Sequence, residues 1–294
     1  MEIVLTSTHC SNHLYRMAGC SDCDLLKIRV KHGIHHLQID HGTPSPKLQL
    51  VRQQLQAVLS SFLRKAAKKA ASAAEQKAAE VIKADEDELM QILYAANGAV
   101  DWEEIVDSTT SELKTAYEDG GKDGIAQLAI SHNLVPDMTD KVVSSAEQYA
   151  KKRAAEMVGK KFIDGELIGD SNAEWVIAET TRDDLKDIIE MAVTQKMSSQ
   201  ELATAIQEAG TFSEARAELI AKTEIALAQV QGNLDVWKLT GFVKTVSILL
   251  SADHDIVDEC DDAAAGGPYP IDDMPFVPRH PRCKCVIIAT EISE

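Results

Sequence analysis

Apolar residues recur every three or four positions through most of this chain, and the pattern changes only towards its two ends. From Lys47 to about Ala84 no glycine or proline interrupts the run, and Leu48, Val51, Leu55, Val58, Leu59, Phe62 and Leu63 form one stripe. That spacing predicts a long helix with a buried face. The second half, Arg64-Lys-Ala-Ala-Lys-Lys-Ala-Ala-Ser-Ala-Ala-Glu75, has high intrinsic helix propensity, so it need not be packed along its whole length. A second helix is expected from about Asp85 to Ala96, stopped by Asn97-Gly98. A third begins at Asp101-Trp-Glu-Glu, with Asp101 as its cap. Gly120-Gly121 and Gly124 are expected to break that pattern. Pro136-Asp-Met-Thr-Asp then leads into a helix from about 138 to 159, striped by Val142, Val143, Ala146, Tyr149, Ala150, Arg153, Ala154 and Met157.

The most regular stretch runs from about Asn172 to Gly241. Thr181-Arg-Asp-Asp-Leu opens a helix that includes Leu185, Ile188, Ile189 and Ala192. Ser198-Ser-Gln-Glu201 fits a capping box, in which hydroxyl and carboxylate satisfy the free amides of a helix start. Gly210 ends that short helix, and Ser213 caps a long one reaching about residue 239, with Gly241 as its C-terminal cap. Periodicity then switches. Phe242-Val-Lys-Thr-Val-Ser-Ile-Leu-Leu250 has the β-branched, apolar content of a buried strand, and Cys285-Val-Ile-Ile-Ala-Thr-Glu-Ile292 is its expected partner. Near the start, Leu26 to Ile39 contains a short strand pair around Gly33. The expected fold is mainly α, with a small α+β C-terminal region containing a short β-sheet and a Cys/His knuckle. Composition divides the chain linearly at the Thr43-Pro-Ser-Pro46 linker and near residue 170, giving segments 1–46, 47–170 and 171–294.

Charge and composition narrow the function classes. The net charge is -17 over 294 residues, which disfavours general adhesion to nucleic acid or to an anionic membrane. Aromatics are only 4%, so the core must be aliphatic and alanine-rich. No run of about twenty apolar residues is present, and no membrane-spanning helix is expected. Met1-Glu-Ile-Val-Leu-Thr lacks a basic stretch followed by a long apolar one, so no secretory signal is expected, and cysteines are expected to hold metal or stay reduced. Gly159-Lys-Lys lacks the earlier glycine of a phosphate-binding loop. Arg64, Lys65, Lys68 and Lys69 put a basic strip on one side of the first long helix. It reads as a solvated face or as a contact for packaged DNA or an acidic partner.

The candidate chemistry lies at the two ends. Cys260, His280, Cys283 and Cys285 each offer a soft or borderline ligand atom, in a loop stiffened by Pro275, Pro278 and Pro281. This reads as a metal-closed knuckle, with Zn2+ as the structural ion and His254 or Asp258 as possible substitutes for one ligand. Cys10, His13, Cys20 and Cys23 form a second possible site at the N-terminal end, read equally as a small zinc hook or as an arm with incidental cysteines.

The run Ser213-Glu-Ala-Arg-Ala-Glu-Leu-Ile-Ala-Lys-Thr-Glu224 is followed by a helix to Trp237, a strand ending near Asp253, Cys260, and Pro278-Arg-His-Pro-Arg-Cys-Lys-Cys285. This order of parts resembles the phage Mu F-like minor head proteins, the phage head morphogenesis family, over roughly residues 140 to 290. Where members commonly carry a Cys-x2-Cys pair, this chain has Val257 and Cys260. The resemblance implies that 171–294 is a head-morphogenesis-like domain, and that the chain is a minor capsid protein of the virion head. Portal, major capsid and scaffold proteins would be its partners during procapsid assembly in the host cytoplasm. Lys222, Thr223, Glu224 and Trp237 are expected to be structural, with Glu224 or Lys222 hydrogen-bonding the knuckle. A metal-dependent hydrolase or nuclease on the acidic and His/Cys loop 253–285, with Asp253, His254, Asp255, Asp258, Glu259, Asp261 and Asp262, is the alternative. No catalytic constellation stands out otherwise, and no enzyme is expected.

Overall fold

The computed structural model describes residues 4–5, 26–30, 33–37, 45–80, 86–132, 138–173, 176–251, 254, 256–283 and 285–292. In chain order these form β1 (Val4–Leu5), β2 (Leu26–Val30), β3 (Gly33–Leu37), α1 (Pro46–Glu80), α2 (Glu86–Gly98), α3 (Glu103–His132) and α4 (Thr139–Glu156). There follow β4 (Lys160–Ile163), β5 (Glu166–Gly169), α5 (Ile177–Thr194), α6 (Ser199–Gln207), α7 (Glu214–Thr240), β6 (Val243–Leu249), α8 (Glu259–Ala265), β7 (Tyr269–Pro270) and β8 (Val286–Ile292). The fold is mainly α with a small α+β region at its C-terminal end, as the periodicity predicts. No described helix is long and apolar enough to cross a membrane.

The chain forms two compact units. One takes Met1–Val51, Lys114–Ala146 and Lys222–Glu294, the other Arg52–Leu113 and Glu147–Ala221. Both are discontinuous in sequence, whereas the divisions expected above are linear stretches.

In the second unit, the α1 stripe is buried at Leu55, Leu59, Phe62 and Leu63, and the alanine run is buried too, at Ala66, Ala67, Ala70, Ala71 and Ala74. Propensity alone does not show this, because alanine stabilises a free helix as readily as a packed one. Arg64, Lys65, Lys68 and Lys69 lie on the exposed side. Lys65 pairs with Glu104 at 2.7 Å and Arg64 with Glu214 at 3.4 Å. α5 begins at Ile177, one turn before the expected Thr181, whose hydroxyl donates back to the Ile177 carbonyl at 2.7 Å inside the helix. Arg216 fixes that start, donating to the carbonyls of Ile177 (3.3 Å) and Thr211 (2.9 Å) and to the hydroxyls of Thr180 and Thr211. The capping box at Ser198 and Glu201 is present as read. Pattern reading missed the β4–β5 hairpin, although Asp164-Gly165 between apolar residues is its signal. Their φ values of 52° and 85° are those of a type I′ turn.

In the first unit, β1, β2 and β3 pair antiparallel, including the strand pair expected around Gly33. Ser45 caps α1, its hydroxyl accepting from the Leu48 amide at 3.2 Å, with Pro46 in the first turn. The expected break at Gly120-Gly121 and Gly124 is not there, and α3 runs straight through them. These glycines are a contact surface for α7. A Cβ on Gly120 would lie 2.1 Å from the Gln229 carbonyl oxygen, and one on Gly232 would lie 2.2 Å from that of Tyr117. The backbones therefore meet where side chains would prevent it. Trp237 on α7 is fully buried and donates from Nε1 to the Gly124 carbonyl at 3.2 Å. Tyr117 donates to Asp235 at 2.5 Å, and Gln231 donates to the other carboxylate oxygen at 2.7 Å.

One hydrophobic cluster organises this unit, joining Leu128, Met138 and Val142 to Val230, Leu234 and Trp237 and to the sheet residues Val243, Val246, Ile248 and Ile287. The sheet is antiparallel in the order β7-β6-β8, with Val246 opposite Ala289 and Leu249 opposite Val286. Cys260, Cys283 and Cys285 belong to the same cluster.

Candidate metal centre

Past β6 the chain reaches Asp258, which caps α8. Asp258 Oδ1 accepts from the Cys260 amide at 2.7 Å, and Asp261 Oδ2 accepts from the Asp258 amide at 3.0 Å, completing a capping box. Cys260 follows in the first turn and is fully buried. Tyr269 holds the other end of α8, donating to the Ala263 carbonyl at 2.8 Å. The loop then returns through Pro275 and Pro278 to a tight turn, His280-Pro-Arg-Cys283. The Cys283 amide donates to the His280 carbonyl at 3.1 Å. Proline at the second position and φ of 68° for Arg282 at the third are the requirements of a type II turn. A side chain in that conformation costs about 1–2 kcal/mol. The Arg282 amide donates to Thr223 Oγ1 on α7 at 3.3 Å. One turn thus presents His280 and Cys283 together and ties them to the long helix.

Cys260 Sγ and Cys283 Sγ are 3.6 Å apart. That is far beyond a disulfide bond of about 2.05 Å. It is close to the ~3.8 Å separating two sulfurs bound to a tetrahedral ion at ~2.3 Å. His280 joins them in a group whose ligand atoms all lie within 4.8 Å of one another. Its Nδ1 is 2.9 Å from the Pro281 carbonyl oxygen. A carbonyl can only accept, so in the neutral ring Nδ1 carries the proton and Nε2 keeps its lone pair. Nε2 is buried without a hydrogen bond. Asp258 Oδ2 lies 3.2 Å from it, but not in hydrogen-bonding alignment. Two thiols and an imidazole lone pair converge, with a carboxylate oxygen beside the imidazole, and that donor set fits a divalent cation of the zinc class.

The thiols polarise one another. Cys283 is held well below the ordinary thiol range, chiefly by a hydrogen bond from Cys285 acting against burial. Cys285 is correspondingly pushed up by donating to Cys283 and then by burial. Cys260 is pushed up by burial first and then by the charge on Cys283. The cluster therefore favours one thiolate, and a second requires a nearby cation.

Of the four ligands read from the sequence, Cys260, His280 and Cys283 come together, while Cys285 lies against the other two thiols and outside the compact group. His254 and Asp258, the expected substitutes, form a second group with Asp261. His254 Nε2 is 2.9 Å from Asp261 Oδ2 and 3.7 Å from Asp258 Oδ1. Val257, at the place where the resemblance would put a cysteine, is 80% exposed. Thr223 and Glu224 are buried and Lys222 is half-buried, and Thr223 makes a contact to the turn through the Arg282 amide. Trp237 is buried in the core. Sequence reading missed the cap at Asp258, although Asp258-Glu-Cys-Asp261 carries the capping-box spacing. Cys10, His13, Cys20, Cys23, Asp253 and Asp255 lie outside the described residues. No protein-family model, curated protein or solved structure matches this chain.

Proposed function

We propose that the chain is a phage minor head protein of the Mu F-like, head morphogenesis type, a non-catalytic component of the virion head that joins portal, major capsid or scaffold proteins during procapsid assembly in the host cytoplasm. One observation carries the reading. The two sequence signatures behind the resemblance, the Lys222-Thr223-Glu224 helix and the His280-Pro-Arg-Cys283 run, lie far apart in sequence yet meet through the Arg282 amide and the Thr223 hydroxyl. The C-terminal region then acts as a clasp. The antiparallel β6 and β8 hold the two ends of the loop, α8 and the type II turn bring its ligands together, and a structural zinc ion closes it. Packaged DNA is a further partner through the exposed strip Arg64, Lys65, Lys68 and Lys69. Two members of that strip are already ion-paired, which favours a weak, salt-dependent contact.

The test is co-expression with the portal, capsid and scaffold proteins of the same phage, followed by affinity capture of the tagged chain. Retention of one of these through a salt wash supports the role, and capture of none of the three overturns it. Metal analysis of the protein purified under reducing conditions is expected to find zinc bound to the C-terminal region. An ordered C terminus with no bound metal would sink the zinc clasp.

A further inference from the structure

We propose that the fourth metal ligand in the clasp is the carboxylate of Asp258, giving a Cys260, Cys283, His280 and Asp258 site in which Cys285 does not bind the ion. This rests on the metal reading of the clasp and is independent of the virion role.

Two acceptors face each other at the centre of the site. His280 spends its ring proton on Pro281, so Nε2 presents a lone pair, and Asp258 Oδ2 lies 3.2 Å from it. No hydrogen bond joins them. A lone pair and a carboxylate oxygen at that separation are stabilised by a shared cation, and the two sulfurs 3.6 Å apart lie in the same group as His280. The carboxylate is also aimed. Its Oδ1 is anchored by the Cys260 amide at 2.7 Å, which leaves Oδ2 for the metal. Its backbone is held by Asp261, whose own carboxylate is gripped by His254 at 2.9 Å. His254 and Asp261 are therefore positioning residues that hold a ligating carboxylate from behind.

Cys285 differs from the other two cysteines. Neither its sulfur nor the Asp258 carboxylate falls in the compact group of Cys260, His280 and Cys283, but Asp258 Oδ2 lies 3.2 Å from the unbonded Nε2 of His280.

The experiment is Co2+ titration of the full chain, stripped of metal and kept reduced, read by visible absorption. Tetrahedral Co2+ gives intense d–d bands, and its sulfur-to-metal charge transfer scales with the number of bound thiolates. The variants are Asp258→Asn and Cys285→Ser. Asparagine keeps the α8 cap, so far-UV circular dichroism should match the wild type and folding is not confounded. The expected result is a two-thiolate tetrahedral spectrum in the wild type, the same spectrum and intensity in Cys285→Ser, and at least tenfold weaker binding in Asp258→Asn. Loss of about a third of the charge-transfer intensity in Cys285→Ser, with Asp258→Asn unchanged, would make Cys285 the fourth ligand and overturn this assignment while sparing the metal clasp. Absence of any tetrahedral spectrum in the wild type would overturn both.

Discussion

A methyl group on Gly232 would lie 2.2 Å from the carbonyl oxygen of Tyr117 and 2.8 Å from the Gly121 amide nitrogen, both backbone atoms that cannot rotate away. Gly232→Ala should therefore destabilise the first unit despite alanine's better helix propensity, which favours the substitution by about 1 kcal/mol. Overpacking of this kind costs about 1–3 kcal/mol or more, so a net loss is expected in urea unfolding, while alanine at the unobstructed Gly98 should not lose stability. The same glycines show where sequence reading ran out. Gly120, Gly121 and Gly124 look like breakers because a helix interior penalises glycine. Only the approach of α7 reveals that the missing side chains are the point of contact. Thr223 teaches a similar lesson on the clasp. A buried polar residue on α7 was legible as an anchor, but that the Thr223 hydroxyl reaches the loop is seen only in the geometry. Thr223→Val, which preserves shape and removes the acceptor for the Arg282 amide, should cost about 0.5–1.5 kcal/mol. Faster amide exchange at Arg282 and Cys283 should accompany it, with exchange in α5 and α6 unchanged.

Elements defined by local chemistry were the most legible. Ser198 and Glu201 satisfy each other's amides within one turn, so α6 starts where the four-residue pattern says. The switch from helical spacing to a β-branched run located β6 and β8 and their pairing. What stayed hidden needed a distant partner. β7 is two residues long and exists because β6 offers it an edge, and α5 starts early because the otherwise orphaned Ile177 amide donates to the Met157 carbonyl at 2.8 Å. The α6 cap also sets a pH dependence. Glu201 is held below the usual carboxylate range by the Ser198 amide and then by the Ser198 hydroxyl. A depressed folded-state pKa stabilises above the unfolded value, and that contribution is lost as pH falls through the depressed one. Ser198→Ala should cost about 1 kcal/mol at neutral pH. Thermal melts of the wild type and Glu201→Gln should differ at neutral pH and converge on acidification below the ordinary carboxylate range. A constant gap would mean that the carboxylate's charge is not what supports the cap.

Chain connectivity carries a consequence that no single element shows. Composition suggests that residues 171–294 form a self-contained piece, yet the cluster that buries Trp237 and the sheet draws Leu128 from α3 and Met138 and Val142 from the start of α4. The indole of Trp237 donates to the Gly124 carbonyl on α3, and the Tyr117 hydroxyl bonds Asp235. Cutting at 170/171 would remove these partners and leave α7 with an uncovered apolar face and an orphaned indole donor. The clasp would suffer as well, because Cys260, Cys283 and Cys285 sit in that same cluster and their turn is tied to α7 through Thr223. A buried donor without a partner costs about 1–3 kcal/mol, and the lost apolar contacts add to that, against a total stability of about 5–15 kcal/mol for a domain. The fragment 171–294 should therefore keep helical far-UV circular dichroism but lose near-UV signal, bind a hydrophobic dye and unfold without a cooperative transition. A longer fragment that restores α3 and α4 by starting at residue 101 should recover cooperative unfolding of the first unit's core. Cooperative melting of 171–294 alone, with native-like near-UV signal, would show that the linear segment is self-sufficient and that α3 and α4 are dispensable to it.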